Sequence, residues 1–307
     1  MVALKVGLVG CGRLAERGWI PALRMAEAAG TARLVAVAEP DPARRAAAAR
    51  AARLDGGAAF ADWRELIATG GADALILAIG GREQLEPAGA ATAAGLAVLV
   101  EKPPGGDRAG AAALARLQPP PAVGFSRRFD PAWRALRDGA GAAGALELRL
   151  AYRRSGWGAH VVRDDALSDL GSHVADLAAW IGGAAVSRAR CSRLEPEAAE
   201  GELELEGARG SASFAVATDR PYAELGRVDG TALVRRGGWR RNALGRLGAG
   251  PDAGALPRSL ADELAAFAAG DADVASAADG LRCHAVLEAL RDSAGRGGAW
   301  VAVTVAP

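Results

Sequence analysis

The chain of 307 residues carries 37 lysine and arginine residues against 36 aspartate and glutamate residues, a formal net charge of +1 at pH 7. A balance this even, without a long run of one sign, argues against nucleic acid or an anionic membrane as a partner. No apolar stretch reaches the about 18 residues of a spanning helix, and the N-terminus shows no signal-peptide pattern, so we expect a cytoplasmic protein. The length favours two domains.

The first predicted strand, Val6–Val9, runs directly into Gly10-Cys11-Gly12-Arg13-Leu14-Ala15, a Gly-x-Gly-x-x-Ala turn that opens a helix. Gly10 permits the tight turn, Gly12 lets the backbone approach a pyrophosphate, and the small Ala15 lets the helix pack near the strand. The N–H groups at the start of the helix face the anion. We therefore predict a dinucleotide site formed by Gly10, Gly12, Arg13, Leu14 and Ala15.

The next predicted strand, Leu34–Ala38, ends in Glu39. This residue follows the glycine turn at about the spacing at which an acidic side chain binds the hydroxyls of the adenosine ribose. Such a carboxylate accepts from a free 2′-hydroxyl and repels a 2′-phosphate, which favours NAD over NADP. Arg44 and Arg45 lie close enough in the sequence to weaken this preference, so NADP stays open.

Strands alternate with helices through the first 124 residues. A helix from Arg17 to Glu27 is interrupted by Pro21, and further helices are predicted at 41–53, 62–67 and 86–94, with strands at 74–79 and 97–100. This spacing predicts an α/β fold, a doubly wound parallel sheet that forms a dinucleotide-binding domain over residues 1–124. Ligands of such sheets bind at the carboxyl ends of the strands, which here carry Gly10, Glu39, Gly80, Glu101 and Lys102.

The pattern changes after about residue 124 to an alternation of period two, as in 146–150, 202–206 and 211–216. Such alternation is typical of strands with one solvated face. It predicts an α+β domain over residues 125–307, with a mostly antiparallel open sheet. Helices are predicted at 131–138, 167–181, 260–269 and 279–294, a last strand at 300–305, and a mobile loop or interface segment at 226–250.

Three polar residues suit hydride exchange at an alcohol or ketone. Lys102 lies at a predicted strand end, and Pro103 after it imposes an extended backbone that fixes the direction of the lysine side chain. Asp169 and His173 are four residues apart in a predicted helix, so they share one face. A histidine, with an ordinary pKa of about 6.5, suits transfer of the hydroxyl proton, and an ammonium group stabilises a developing alkoxide.

Several motifs, in order along the chain, resemble the Gfo/Idh/MocA oxidoreductases, the family of glucose-fructose oxidoreductase and inositol dehydrogenase. They are the glycine turn, Glu101-Lys102-Pro103, the run from Gly124 to Pro131, Asp169-x-Gly171-x-His173-x-x-Asp176 through Trp180-Ile181-Gly182, and the run from Asp279 to Ser293. The matches cover nearly the whole chain, and motifs in the right order are far more specific than any one of them.

The resemblance implies a nicotinamide-dependent enzyme of two domains, with a Rossmann domain first and the active site between the domains. It implies that Lys102, often followed by a cis bond to the proline, hydrogen-bonds the reacting oxygen. His173 would be the acid or base, and Asp169 would position the substrate. The open antiparallel sheet of this family commonly mediates assembly, so we expect a homodimer or homotetramer.

Two departures from the family pattern concern the site. A proline and a nearby histidine usually follow the fourth strand, where this chain has Ile79-Gly80-Gly81 and Gln84, which alters the floor of the nicotinamide pocket. The glycine-rich turn that is common before the Asp-x-Gly-x-His helix is replaced by 161–168, which leaves the substrate open. The candidate substrate-binding residues are Lys102, Arg128, Trp157, His160, Asp169 and His173.

Some of these residues have an ordinary alternative role. His160 fits a plain loop position equally well, and Arg128 fits a solvated or domain-bracing role better than catalysis. No third ligand with plausible spacing accompanies Asp169 and His173, so we expect no metal site.

The leading hypothesis is hydride transfer between NAD(H) and a secondary alcohol or ketone of a sugar, cyclitol or related polyhydroxylated small molecule. Three alternatives stay open. They are a glycoside hydrolase that uses tightly held NAD for transient oxidation, a biosynthetic reductase of a non-sugar carbonyl, and a non-catalytic nucleotide-binding regulator.

Overall fold

The computed structural model describes residues 2–69, 71–141, 144–157, 164–208, 210–236 and 255–305. The chain divides into two units, Met1–Phe129 with Gly254–Leu281 and Asp130–Ala253 with Arg282–Pro307. The first unit therefore extends past the expected boundary at residue 124. It also includes Gly254–Leu281, which we expected in the second domain.

Strands and helices are numbered in chain order. The strands are β1 (Leu4–Val9), β2 (Ala32–Ala38), β3 (Ala59–Phe60), β4 (Ala74–Leu77), β5 (Ala97–Glu101), β6 (Ala122–Gly124), β7 (Gly144–Arg153), β8 (Val186–Glu195), β9 (Ala198–Leu205), β10 (Gly210–Ala217), β11 (Asp219–Val228), β12 (Thr231–Arg236), β13 (Ala275–Ser276) and β14 (Val301–Ala302).

The α-helices are α1 (Ile20–Ala28), α2 (Pro42–Ala52), α3 (Trp63–Ala68), α4 (Leu85–Ala93), α5 (Arg108–Ala115), α6 (Pro131–Asp138), α7 (Ser172–Gly182), α8 (Ala255–Ala269) and α9 (Ala277–Gly295). Within the described ranges, none of the helices combines the length and the apolar character that crossing a membrane requires.

The first unit contains a seven-stranded sheet in the order β13-β6-β5-β4-β1-β2-β3. Its strands pair in parallel, apart from β13, which runs antiparallel to β6. The order of β1 to β6 is that of a doubly wound dinucleotide-binding sheet and confirms the predicted fold. The strand order reverses between β1 and β4, and ligands of such sheets bind beyond the carboxyl ends of the strands at this reversal.

The helix α8 belongs to the first unit because of the apolar face that it buries. Leu260 and Leu264, one helical turn apart, lie in the same buried core as Val6 and Leu8 of β1 and Trp19. The helical pattern of the sequence predicted this helix but could not indicate which sheet it covers. The position of Gly254–Leu281 in the first unit follows from this packing.

The helix after the glycine turn differs from the prediction at both its start and Pro21. Helical backbone begins at Arg13, and a π-helical turn, Ala15–Trp19, leads directly into α1. A proline has no N–H to donate, and its ring crowds the carbonyl four residues earlier. The wider turn just before Pro21 accommodates both effects. Pro21 therefore does not interrupt the helix, which continues through one wide turn.

The second unit contains a sheet in the order β12-β11-β7-β10-β9-β8-β14, antiparallel except for the pair β7 and β10. This confirms the predicted mostly antiparallel sheet. Part of the predicted loop at 226–250 is instead the hairpin of β11 and β12. Asp229 and Gly230, both with positive φ, form its turn, which matches the twist of the two strands. The remainder, 237–250, lies outside the described residues.

Candidate active site

The glycine turn after β1 has the backbone of an anion-binding turn. Gly10 has a φ of +90°, and a Cβ on it would lie 2.6 Å from the carbonyl oxygen of Ala78. Its N–H donates to the Ala38 carbonyl at 2.8 Å. A Cβ on Gly12 would meet nothing within 4 Å. Gly10 is thus required by the fold, whereas Gly12 leaves open space beside the backbone, as a bound pyrophosphate requires.

The next three residues of the turn begin the helix. The side chain of Arg13 pairs with Glu16 at 2.8 Å on the surface, Leu14 packs against the core, and Ala15 is fully buried. Their backbone N–H groups belong to the start of the helix, where positive partial charge favours a phosphate. The direct contacts of Arg13 and Leu14 with a cofactor stay a prediction.

Glu39 is a buried carboxylate that is held against the glycine turn. Its Oε2 accepts from the N–H of Cys11 at 2.8 Å, and its Oε1 accepts from the N–H of Asp41 at 3.1 Å. The guanidinium of Arg44 donates to the same Oε1 from Nη2 at 2.8 Å and from Nε at 3.2 Å. The carboxylate therefore has a fixed direction at the end of β2, and Arg44 compensates its charge.

The thiol of Cys11 lies in the middle of this turn. Burial, assisted by the negative charge of Glu39, raises its pKa to about 12. Because only the thiolate is a good nucleophile, Cys11 is a packing residue at neutral pH.

The segments that follow β4 and β5 contact each other backbone to backbone. A Cβ on Gly81 would lie 2.5 Å from the nitrogen of Gly106 and 2.7 Å from the carbonyl oxygen of Pro103. Gln84 is completely buried between these segments, whereas Gly80 is exposed. Where the family usually has a proline and a histidine, this chain therefore has closely packed glycine backbone and the buried amide of Gln84.

The end of β5 carries Glu101 and Lys102. The bond from Lys102 to Pro103 is cis, as the family resemblance implies. Lys102 is half-buried, and Glu101 is buried and accepts a hydrogen bond from Nε1 of Trp19 at 2.6 Å. Burial raises the pKa of Glu101 to about 6, against the opposing effects of this hydrogen bond and of the Lys102 charge. The side chain of Glu101 therefore contacts another side chain in the protein interior. Its predicted contact with the cofactor stays a prediction.

In the second unit, Asp169 and His173 are buried in one helical run. Asp169 lies in a π-helical turn, Leu167–Gly171, and His173 in the first turn of α7. The hydroxyl of Tyr152 in β7 donates to Oδ2 of Asp169. Burial, together with the charge of Asp169 and this hydrogen bond, raises the pKa of Tyr152 above its ordinary value. Tyr152 is therefore a neutral donor that orients the carboxylate.

The start of this helical run is anchored to α9. Nη2 of Arg291 donates to both carboxylate oxygens of Asp165, at 3.1 and 3.0 Å, and to the hydroxyl of Ser168 at 2.7 Å. Although burial raises the pKa of Asp165, the hydrogen bonds from Ser168 and Arg291 hold it below its ordinary value. This ion pair stabilises the segment just before Asp169.

The remaining substrate-binding candidates are Arg128, Trp157 and His160. Arg128 is buried in the first unit, with Nη1 3.3 Å from the Asp273 carbonyl and Nη2 3.9 Å from Asp279. Both contacts lie within the first unit, so they do not test a domain-bracing role, and substrate binding by Arg128 stays a prediction. The side chain of Trp157 and the whole of His160 lie outside the described residues. Among the residues that are described, no group of three or more His, Cys, Asp or Glu is arranged to hold a metal.

Sequence reasoning missed Trp19, Gln84 as a hydrogen-bonding residue, and Tyr152. Only Tyr152 had a signal, since it continues the period-two series of Leu146, Leu148 and Leu150 that faces the core of its unit. Trp19 donates to Glu101, and Gln84 contacts the backbone of Glu101 and Gly105, so these partners are far away in the sequence and no local pattern could indicate them.

The strand order, the glycine turn and the acidic end of β2 define a protein that binds a dinucleotide at a doubly wound sheet. Residues 4–118 match the family model of the Gfo/Idh/MocA proteins, described as an oxidoreductase family with an NAD-binding Rossmann fold. This segment is therefore similar to the NAD-binding domain of that family. The match confirms the predicted resemblance and the NAD cofactor.

Known proteins extend this comparison. Inositol 2-dehydrogenase of Corynebacterium glutamicum (strain R) is 33% identical over 192 residues, which are 60% of this chain and 56% of that protein. The chain thus spans little more than half the length of the curated relatives that it matches. Scyllo-inositol dehydrogenase from Lactobacillus casei, solved with NAD(H) and scyllo-inositol, has a TM-score of 0.79 at 19% identity, over 98% of this chain and 99% of that one.

A probable dehydrogenase from Thermotoga maritima gives the same TM-score of 0.79 at 19% identity, again over 98% of this chain and 99% of that one. These likenesses confirm the fold of the second unit as well as the first.

The two glycines of the turn give a matched test of the cofactor site. Gly10→Ala should lower the free energy of unfolding by about 1–3 kcal/mol, because the residue has positive φ and its Cβ meets a backbone carbonyl. Gly12→Ala should fold like the wild type but bind NADH about tenfold or more weakly, because its Cβ enters the space for the pyrophosphate. Urea unfolding and titration of NADH fluorescence measure the two effects. Unchanged NADH affinity in Gly12→Ala would contradict the site.

The burial of Glu101 predicts how stability depends on pH. Its pKa of about 6 lies above the ordinary 4.5, so the folded state holds this proton more tightly than the unfolded state. The free energy of unfolding therefore falls as the pH rises past the two pKa values, by about 2 kcal/mol in total. About 1 kcal/mol of this fall lies between about pH 5 and about pH 7.5.

Glu101→Gln cannot ionise but keeps an oxygen that accepts from Trp19, so this fall should vanish. Urea unfolding at both pH values measures it, with the exposed Glu27→Gln as the matched control. An equal pH dependence in Glu101→Gln and the wild type would show that Glu101 does not titrate in this window.

Proposed function

We propose that the protein transfers a hydride between NAD(H) and a secondary alcohol or ketone of a cyclitol, sugar or related polyhydroxylated molecule. The observation that carries the proposal is the position of Lys102. It lies at the carboxyl end of β5, on the edge of the sheet that also carries the glycine turn and Glu39. A cation at this edge suits an oxygen that becomes negative when it loses a proton.

The roles of the other residues follow from their chemistry. His173 would exchange the hydroxyl proton, since imidazole is the side chain best suited to proton transfer near neutral pH. Asp169 would accept a hydrogen bond from the substrate, in the direction that Tyr152 fixes. The bound nicotinamide supplies or accepts the hydride itself, and the protein contributes binding, orientation and charge.

The substrate class rests on the relatives. The curated relatives that match this chain are inositol 2-dehydrogenases, and the Lactobacillus casei enzyme was solved with scyllo-inositol. A ring with several hydroxyl groups also suits a site with charged hydrogen-bonding side chains of both signs, because each hydroxyl can donate and accept.

We also propose that NAD is preferred and NADP is tolerated. Glu39 would accept hydrogen bonds from the free ribose hydroxyls, which favours NAD. Arg44 already pairs with Glu39, and it offers a 2′-phosphate a partner of opposite charge. The repulsion between the carboxylate and the phosphate is therefore reduced rather than complete.

Lysine replacement tests the proposed reaction. The wild type should reduce NAD with at least one member of a panel of inositols, sugars and small hydroxy compounds, followed by nicotinamide absorbance. Lys102→Met should lower kcat by about 10³-fold with NADH affinity unchanged, because the variant loses only the charge at the reacting oxygen. The other lysine of the chain, Lys5, pairs with Asp73 at the opposite end of β1, and Lys5→Met is the matched control.

Full turnover in Lys102→Met would remove the proposed role of the lysine. Product formation without net reduction of added NAD would instead favour the hydrolase with transient oxidation.

Replacement of Arg44 tests the cofactor preference. Arg44→Ala should weaken NADPH binding by about tenfold and leave NADH binding equal or tighter, because the variant loses the partner of the 2′-phosphate and releases Glu39. Fluorescence titration with both cofactors measures the ratio of affinities, and the exposed Arg50→Ala on the same helix is the control. An unchanged ratio in Arg44→Ala would contradict this role.

A further inference from the structure

Gln84 is a completely buried amide that lies between the short turn Gly81–Glu83 and α4. Its Nε2 donates to the carbonyl oxygen of Glu101 at 2.7 Å and lies 3.4 Å from the carbonyl oxygen of Ile79. Its Oε1 accepts from the N–H of Gly105 at 3.0 Å. The amide thus uses both its donor and its acceptor on backbone groups of other segments.

Two of these contacts lie on either side of Lys102 in the sequence. The Glu101 carbonyl belongs to the peptide group that leads into Lys102, and the Gly105 N–H follows the cis bond to Pro103. One side chain therefore holds the backbone just before the lysine and the backbone just after it. The contact with Ile79 connects both points to the end of β4.

The surrounding packing makes this connection rigid. Close approach of the two segments depends on glycines, since a Cβ on Gly81 would meet Pro103 and Gly106, and a Cβ on Gly106 would meet Arg82 at 2.5 Å. The backbone groups of Glu101 and Gly105 that Gln84 contacts are buried. Without the amide they would lose a hydrogen-bonding partner, and an unpaired buried donor or acceptor is destabilising. The conformation of the segment from Glu101 to Gly105 therefore depends on the amide.

We propose that Gln84 is a positioning residue for Lys102: it fixes the backbone on both sides of the lysine and so sets where the ammonium group lies. The inference rests on the proposed function for its kinetic consequence. An amide is suited to this task because it donates and accepts at once without carrying charge beside the lysine. A methionine of similar length does neither, and an asparagine cannot reach both partners.

The kinetic test compares the two glutamines of the chain, Gln84 and the exposed Gln118. Gln84→Met should lower kcat by about 100-fold, because a misplacement of the order of 1 Å at a reacting group costs that much. The rate is expressed per NADH-binding site, and NADH affinity should stay unchanged. Gln118→Met should behave like the wild type. A merely structural role would lower the number of NADH-binding sites but not the rate per site.

A second readout does not depend on turnover. Because the chain has two lysines, labelling with lysine that carries ¹³C at Cε gives two resonances, which Lys5→Met assigns. Gln84→Met should shift the Lys102 resonance and leave that of Lys5 unchanged. Gln84→Asn, a neutral and smaller change, serves as a second variant in case Gln84→Met does not fold, and it should change both readouts in the same direction.

Wild-type rates per site and an unshifted Lys102 resonance in the folded Gln84 variants would overturn the inference. If the wild type turned over no substrate of the panel, the proposed function would fail. The resonance alone would then decide whether Gln84 positions the lysine.

Discussion

The structure of the candidate site depends on the hydrogen bond between Glu39 and the N–H of Cys11. It joins the end of β2 to the glycine turn at the end of β1, and both partners are buried. Gly10, with its positive φ and its closeness to Ala78, brings the Cys11 N–H to this point. A dinucleotide needs an open backbone for its pyrophosphate and an acceptor for its ribose. The hydrogen bond between Cys11 and Glu39 fixes the glycine turn and the carboxylate relative to each other.

Buried polar side chains that are hydrogen-bonded also occur along the rest of the carboxyl edge of the first sheet. Glu39, Gln84 and Glu101 are buried there, and each has a hydrogen-bonding partner that is distant in sequence or on another segment. Burying a polar group costs free energy unless it is hydrogen-bonded. The contacts that remove this cost also fix the ends of β2, β4 and β5. Stability and site geometry therefore depend on the same bonds.

Local chemistry predicted much of the fold. Helices were predicted to begin near residues 41, 62 and 131, and at these places the side chains of Asp41, Asp62 and Asp130 accept from backbone N–H groups of the first turn. The glycine turn, Glu39 and the alternation of strands and helices were also readable, because each is encoded by neighbouring residues.

Long-range packing could not be predicted in this way. The helix α8 joins the unit whose apolar surface Leu260 and Leu264 cover. Its amphipathic pattern would be the same if it covered the other sheet, so the pattern could not indicate which unit it joins. The π-helical turns before Pro21 and around Asp169 adjust helices to their surroundings. The contacts of Trp19 with Glu101 and of Tyr152 with Asp169 join segments that only the fold brings together.

The most direct test of this account is a crystal structure of the protein grown with NAD. The account predicts that the pyrophosphate lies against the backbone of Gly12 and that the adenosine ribose is hydrogen-bonded to the carboxylate of Glu39. A dinucleotide bound at another edge of the sheet, or a ribose without contact to Glu39, would contradict it.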